Sequence, residues 1–139
     1  PHLGNELLAR QRVADRYTDG LCKSLDTPLI KPNRSSAWAQ YTVRVVDRDR
    51  VQSKLKSSGI PTAVYYPVPL HLQECFEYLD YNKGDFPHAE QASKVVMSLP
   101  MNPFLTNNEI DSSGKYGWDI EARLRDQGFA NKHHHEIIF

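Results

Sequence analysis

The sequence predicts an α+β domain: a small sheet of about three strands with helices packed on it. Three features of the chain point to this. Residues 38–46 alternate apolar and polar side chains, as a strand buried on one face does. Residues 47–58 switch to helical spacing with matched end signals, and residues 62–66 return to β-prone side chains, completing a strand-helix-strand unit. On either side of that unit, segments 5–21 and 85–99 repeat apolar residues at helical spacing. At 139 residues the chain fits one domain with one modest core.

Taken in order, Asn5 can cap a first helix that runs to about Leu21, with Leu7, Leu8, Ala14, Tyr17 and Leu21 on its inward face and Gly20 near its end. The opposite face carries Arg10, Arg12, Asp15 and Arg16, either as a solvated face or as one that docks on another domain. Residues 25–33, with Pro28 and Pro32, form an irregular crossing. In the strand over 38–46, Ala39, Tyr41, Val43 and Val45 share the buried face. Asp47 caps the next helix, which directs Val51 and Leu55 inward, places Lys54 and Lys56 in its last turn and ends before Gly59. The strand Thr62 to Tyr66 follows, and Pro67 and Pro69 stop it. Residues 72–81 read as a short helix and turn.

Asp85 caps a helix with Pro87 in its first turn and a buried stripe of Ala89, Ala92, Val95 and Val96, which Leu99-Pro100 ends. Thr106 and Glu109 have capping-box spacing, yet Asp111-Ser112-Ser113-Gly114 is expected to break the helix within a turn. A shorter replacement helix is expected over Asp119 to Gln127.

Composition excludes several classes of function. Seventeen basic and seventeen acidic side chains cancel, so no excess field attracts nucleic acid or an anionic membrane. Two cysteines, Cys22 and Cys75, are too few for a disulfide framework. No apolar run is long enough for a membrane span or a signal peptide, and a reducing cytoplasm is the expected compartment.

The densest group of site-like residues lies in 62–74. Tyr65 and Tyr66 are adjacent on an extended segment and point to opposite faces, so both rings pack, or one offers its hydroxyl to a ligand. After the two prolines, His71, Gln73 and Glu74 fall on backbone suited to a surface loop or pocket wall. His71 and Cys75 are four apart, the spacing of a thiol and its base on one helix face, but no third orienting group accompanies them. His133-His134-His135-Glu136 is expected to be a tail with incidental metal affinity, since neighbouring residues cannot close one tetrahedral shell. No catalytic, cofactor-binding or metal-ligating residue is assigned.

Several segments together resemble a known family. Arg10-Gln11-Arg12-Val13-Ala14-Asp15-Arg16-Tyr17, Val46-Asp47-Arg48-Asp49-Arg50, Ser58-Gly59-Ile60, Tyr65-Tyr66-Pro67, Gly84-Asp85-Phe86-Pro87-His88-Ala89-Glu90 and Leu99-Pro100-Met101-Asn102-Pro103 stand in one order. That order resembles the small C-terminal domain of the DegT-type sugar-nucleotide aminotransferases, fold-type I enzymes that use pyridoxal phosphate. The resemblance implies a boundary near residue 110: an aminotransferase-like small domain over 1–110, with an interdomain-type helix in 1–24, and a divergent extension over 111–139. It implies that Tyr65, Tyr66, Glu74 and His71 contact substrate, with Tyr65 standing where the family usually has histidine.

The family's cofactor machinery, a Schiff-base lysine and donors for the phosphate, lies in its large domain. None of the eight lysines here matches that motif, so no cofactor is expected in this chain and catalysis is not expected from it alone. The implied intact enzyme moves an amino group, typically from glutamate, to a keto-sugar nucleotide. Expected partners are a cofactor-binding large domain, a second copy of the chain, or a sugar nucleotide. The rival expectation is a free-standing, non-catalytic binding or assembly module, or a folded gene fragment, suggested by the altered segment after Asp111.

Overall fold

A computed structural model of the chain describes residues 2–115 and 137–138. Helix α1 (Leu3–Leu21) buries Val13, Ala14, Tyr17 and Leu21 along one stripe. Leu7 and Leu8, expected inward, are exposed, because the buried cluster engages only the second half of the helix. On the arginine face Arg12, Asp15 and Arg16 are exposed, as a solvated face requires, and Arg10 is half-buried, while the guanidiniums also bond within the chain. Arg10 Nη1 donates to the carbonyls of Trp38 at 3.0 Å and Met101 at 3.4 Å. Arg12 reaches the Leu105 carbonyl and Asn107 Oδ1, both at 2.8 Å, and Arg16 forms a two-pronged pair with Asp111 at 2.6 Å. The helix thus grips the chain's own residues 101–111 with guanidinium forks, whose planar donors suit carbonyls and carboxylates.

Strand β1 (Pro28–Leu29) pairs in parallel with a two-residue strand at Ile137–Ile138. Strand β2 (Tyr41–Arg44) starts later than expected. Trp38 is buried with a left-handed φ of 48°, its indole N–H donating to Gln11 Oε1 at 2.7 Å, and this turn leaves Ala39 exposed. Tyr41, Val43 and Val45 are buried as the alternation required.

Helix α2 (Arg48–Ser57) buries Val51 and Leu55. Asp47 sits at its N-cap with φ 53° and makes no side-chain capping bond, so the aspartate marks the turn without capping it. The other end follows expectation closely. Gly59 adopts φ 77°, its N–H bonds to the Lys56 carbonyl at 3.0 Å, and the Ile60 N–H reaches back to Leu55 at 2.9 Å. This is the paired closure of a helix through a left-handed glycine, with Leu55 and Ile60 both buried behind it.

The expected strand over Thr62–Tyr66 shrinks to one residue. Ala63 alone bridges Ser98, with mutual N–H to carbonyl bonds of 3.0 and 2.8 Å. Pro61 and Pro67 flank this stretch and have no N–H to extend the ladder. Two 3-10 turns follow, Leu70–Leu72 and Glu74–Leu79.

Helix α3 (Pro87–Val95) has Phe86, not Asp85, at its N-cap. Asp85 Oδ2 instead accepts the Asn82 N–H at 2.7 Å. Its buried residues are Glu90 and Ser93, whereas Ala89 is exposed and Ala92, Val95 and Val96 are half-buried. The reason is local: the inward side of this helix meets a polar tie, described below, before it meets the core.

The chain then turns directly into strand β3 (Val96–Leu99), where the sequence pattern predicted continued helix. β3 runs antiparallel to β2 with Tyr41 opposite Leu99 and Val43 opposite Met97. Arg48 secures the switch by donating to the Ser93 and Val96 carbonyls at 3.3 and 3.2 Å. Ala63 on one edge and Asp26, bridged to Arg44, on the other extend this two-stranded ladder.

Helix α4 covers 107–115. Thr106 and Glu109 cap it reciprocally: Glu109 Oε2 accepts the Thr106 N–H at 2.8 Å, and Thr106 Oγ1 accepts the Glu109 N–H at 3.4 Å. The expected break at Asp111–Gly114 does not occur. Asp111 is held by Arg16, and Ser113 Oγ donates to the Glu109 carbonyl at 2.9 Å, so both polar side chains find partners compatible with helix. The altered segment that suggested a free-standing module is therefore ordinary helix up to residue 115. The expectations for Asp119–Gln127 and for His133–Glu136 fall outside the described residues.

One buried cluster joins α1, Trp38, β2, α2, Ile60, β3, Leu105 and Ile110. Tyr17 and Tyr41 lie at its centre with rings 5.0 Å apart, and Trp38 is 5.7 Å from Tyr41.

Candidate functional site

The segment from Val64 to Leu70 leaves the sheet edge at Ala63 and regains regular backbone bonding only where the Leu72 N–H meets the Pro69 carbonyl at 3.0 Å. Pro67 and Pro69 stiffen it. Tyr65 is 54% and Tyr66 65% exposed, so both rings stand off the surface and neither packs in the core. Tyr65 also lines a shallow cleft of about 210 Å³ with Gln40, Thr62, Ser98 and Met101. Glu74 is exposed at the start of the second 3-10 turn. Tyr65, Tyr66 and Glu74 are thus all available to a ligand.

His71 is placed differently. Its side chain is 7% exposed, and Nε2 lies 3.1 Å from Oε1 of Glu90, itself only 11% exposed. The same Glu90 oxygen accepts the Gly84 N–H at 2.7 Å. Those bonds, the Gly84 amide first and His71 after it, hold the Glu90 carboxyl below the usual range despite partial burial. The His71 ring lies 4.8 Å from Phe86 at a 56° tilt, and Phe86 meets Tyr81 edge-on at 4.9 Å. Beside these rings lies an apolar cavity of about 370 Å³, walled by Leu70, Phe76, Leu79, Tyr81, Phe86 and Ala89 with His71 at its margin. His71 and Cys75 are not brought together as base and thiol: Nε2 is engaged by Glu90, and the Cys75 thiol lies 3.8 Å from Gln73 Oε1.

Glu90 and Arg48 escaped sequence reasoning. Each sits in a motif noted above, but neither was singled out, since the buried stripe expected for this helix was Ala89, Ala92, Val95 and Val96. The usable signal was its position in the first turns of a helix preceded by a glycine, from which a carboxylate reaches back to a free amide.

The described residues do not fit an aminotransferase cofactor. Anchoring it needs a lysine whose amine is desolvated, and every described lysine (23, 31, 54, 56, 83, 94 and 115) is exposed. Among the described residues no group of three metal-ligating side chains converges, and no helix is long and apolar enough to cross a membrane.

Comparison with known proteins adds independent information. A model of the DegT/DnrJ/EryC1/StrS aminotransferase family matches residues 1–113. The UDP-2-acetamido-2-deoxy-3-oxo-D-glucuronate aminotransferase of Pseudomonas aeruginosa is 42% identical over 106 residues, covering 76% of this chain and 29% of that protein. A pleiotropic regulatory protein of Geobacillus stearothermophilus is 41% identical over 113 residues, covering 78% of this chain and 30% of that one. Among solved structures, DesV of S. venezuelae superposes with a TM-score of 0.83 at 30% identity, over 86% of this chain and 33% of its own. The chain therefore spans about 30% of the length of the curated relatives it matches.

Proposed function

The chain belongs to the DegT/DnrJ/EryC1/StrS aminotransferase family, and from that premise we propose that it forms the small-domain part of a sugar-nucleotide aminotransferase. In this reading the whole enzyme transfers an amino group, typically from glutamate, to a keto-sugar nucleotide. Pyridoxal phosphate, held by a large domain that also supplies the anchoring lysine, provides the carbonyl chemistry. This chain's residues shape the substrate side of the site, and the arm carrying Tyr65 and Tyr66 reaches toward a neighbouring subunit.

The observation that supports the reading is the stiff, proline-bounded arm with two exposed phenols. Each phenol can donate one hydrogen bond to a phosphate or sugar oxygen and lay its ring against a sugar or base. Tyr65 presents a phenol where the family usually has an imidazole, so its contact with a diphosphate is a hydrogen bond and not an ion pair. Glu74 offers an acceptor to sugar hydroxyls.

Titrating the chain with UDP-N-acetylglucosamine and with dTDP-glucose tests this. Saturable binding of one of them, weakened about tenfold in Tyr66→Ala, is the expected result, since one lost hydrogen bond is worth about 1.4 kcal/mol. Absence of binding to both, or binding indifferent to Tyr66→Ala, would overturn it. Turnover of a keto-sugar nucleotide by the chain alone with added pyridoxal phosphate would overturn the division of labour.

A further inference from the structure

The arm is anchored at two points. One is the sheet edge, where Ala63 and Ser98 exchange two backbone bonds of 3.0 and 2.8 Å. The other is the contact between His71 and Glu90 on α3, nineteen residues further along the chain. Between these points no backbone ladder holds the segment, and Pro67 and Pro69 have no N–H to form one.

We propose that Glu90 is the positioning residue for the Tyr65–Tyr66 arm: its one carboxylate oxygen gathers His71 at the arm's foot and the Gly84 amide of the following loop, and so fixes where the two tyrosines stand. The geometry explains why a carboxylate sits on the inward side of α3. A single acceptor oxygen receives both contacts, at 3.1 Å from His71 Nε2 and 2.7 Å from the Gly84 nitrogen. Gly84 has φ 102°, a conformation that L side chains rarely adopt. Its N–H points at Glu90 in that conformation.

Phe86 closes the unit by packing its ring against His71 at 4.8 Å. Because the stretch from Tyr66 to His71 contains two prolines, little slack separates the tie from the phenols. Loosening Glu90 frees the arm without removing any residue of the main buried cluster, to which neither His71 nor Glu90 belongs.

The consequence for substrate contact rests on the function proposed above, whereas the tie itself is tested without any ligand. Amide hydrogen exchange is measured for Leu72, Gln73 and Gly84, with the amides of β2 and β3 as internal reference. In Glu90→Ala, exchange at all three rises about tenfold or more while the reference amides are unchanged. Glu90→Gln, which keeps an acceptor oxygen, restores most of the protection. His71→Ala loosens Leu72 and Gln73 but leaves Gly84 protected.

Unchanged exchange in Glu90→Ala, or an equal rise at the β2 and β3 amides, would overturn the proposal. If Glu90→Ala does not fold, His71→Ala decides: faster exchange confined to Leu72 and Gln73 supports the tie, and no local change overturns it. Binding of UDP-N-acetylglucosamine to the same variants separates the two levels. Altered exchange with no binding by the unmodified chain leaves the tie standing and removes the substrate reading. Binding by the unmodified chain, with exchange unaffected in the variants, does the reverse.

Discussion

Tyr17 and Tyr41 show how single residues both build this core and sense pH. Each phenol has a partner inside: Tyr17 donates to the Pro100 carbonyl at 3.0 Å, and Tyr41 lies 2.8 Å from Thr18 Oγ1. Burial pushes both hydroxyls above the ordinary phenol range, Tyr41 the further. The native state therefore holds these protons where the unfolded chain, with tyrosine near pKa 10, releases them. Their contribution is fully present below about pH 10 and is lost progressively as pH rises above it. Urea midpoints measured between neutral pH and pH 11 should fall over that window. Tyrosinate absorbance should show these two phenols ionising together with unfolding. Periodicity marked Tyr17 and Tyr41 as inward, but nothing in it indicated Pro100 or Thr18 as partners, because both contacts depend on how α1 lies against the sheet.

Among the elements, α2 is the one whose sequence and structure agree most fully. Its buried Val51 and Leu55, basic last turn and terminal glycine all follow from local pattern. Gly59 at φ 77° has open space where a Cβ would lie, so Gly59→Ala costs only backbone strain, about 1 kcal/mol. Thermal unfolding should register this as a small drop with no change in secondary structure. The switch from α3 to β3 was less legible. Four residues, Val-Met-Ser-Leu, satisfy a helical and a strand pattern equally well. β2 decides between them by presenting Tyr41 and Val43 opposite Leu99 and Met97. The arm after Ala63 shows the converse: β-prone residues between prolines predicted a strand, and lack of ladder donors left one bridge.

At the scale of the whole molecule, carboxylates bind segments that secondary structure leaves separate. Asp111, held low by its bond to Arg16, joins α4 to α1, and Glu90, held low by Gly84 and His71, joins the arm to α3. Glu109, held low by Thr106, closes the cap of α4. All three are depressed, so their contribution is present above the ordinary carboxylate range and is lost as pH falls through the folded values. Urea midpoints should decline on acidification below about pH 4. Asp111→Asn should flatten that decline and lower the midpoint at neutral pH, whereas a pH-independent difference from the unmodified chain would contradict the assignment.

Local pattern was enough for the fold class, for α1, α2, most of α3 and the centre of β2, and it singled out 65–74 as the stretch to test for a ligand. Side-chain period and end signals are local, and short-range sterics enforce them. Tertiary structure alone decided that both tyrosines stand exposed, that His71 is tied to Glu90, and that the arginines of α1 hold residues 101–111. These outcomes depend on which donor meets which acceptor across long stretches of chain, and neither residue of such a pair carries a local mark of its partner.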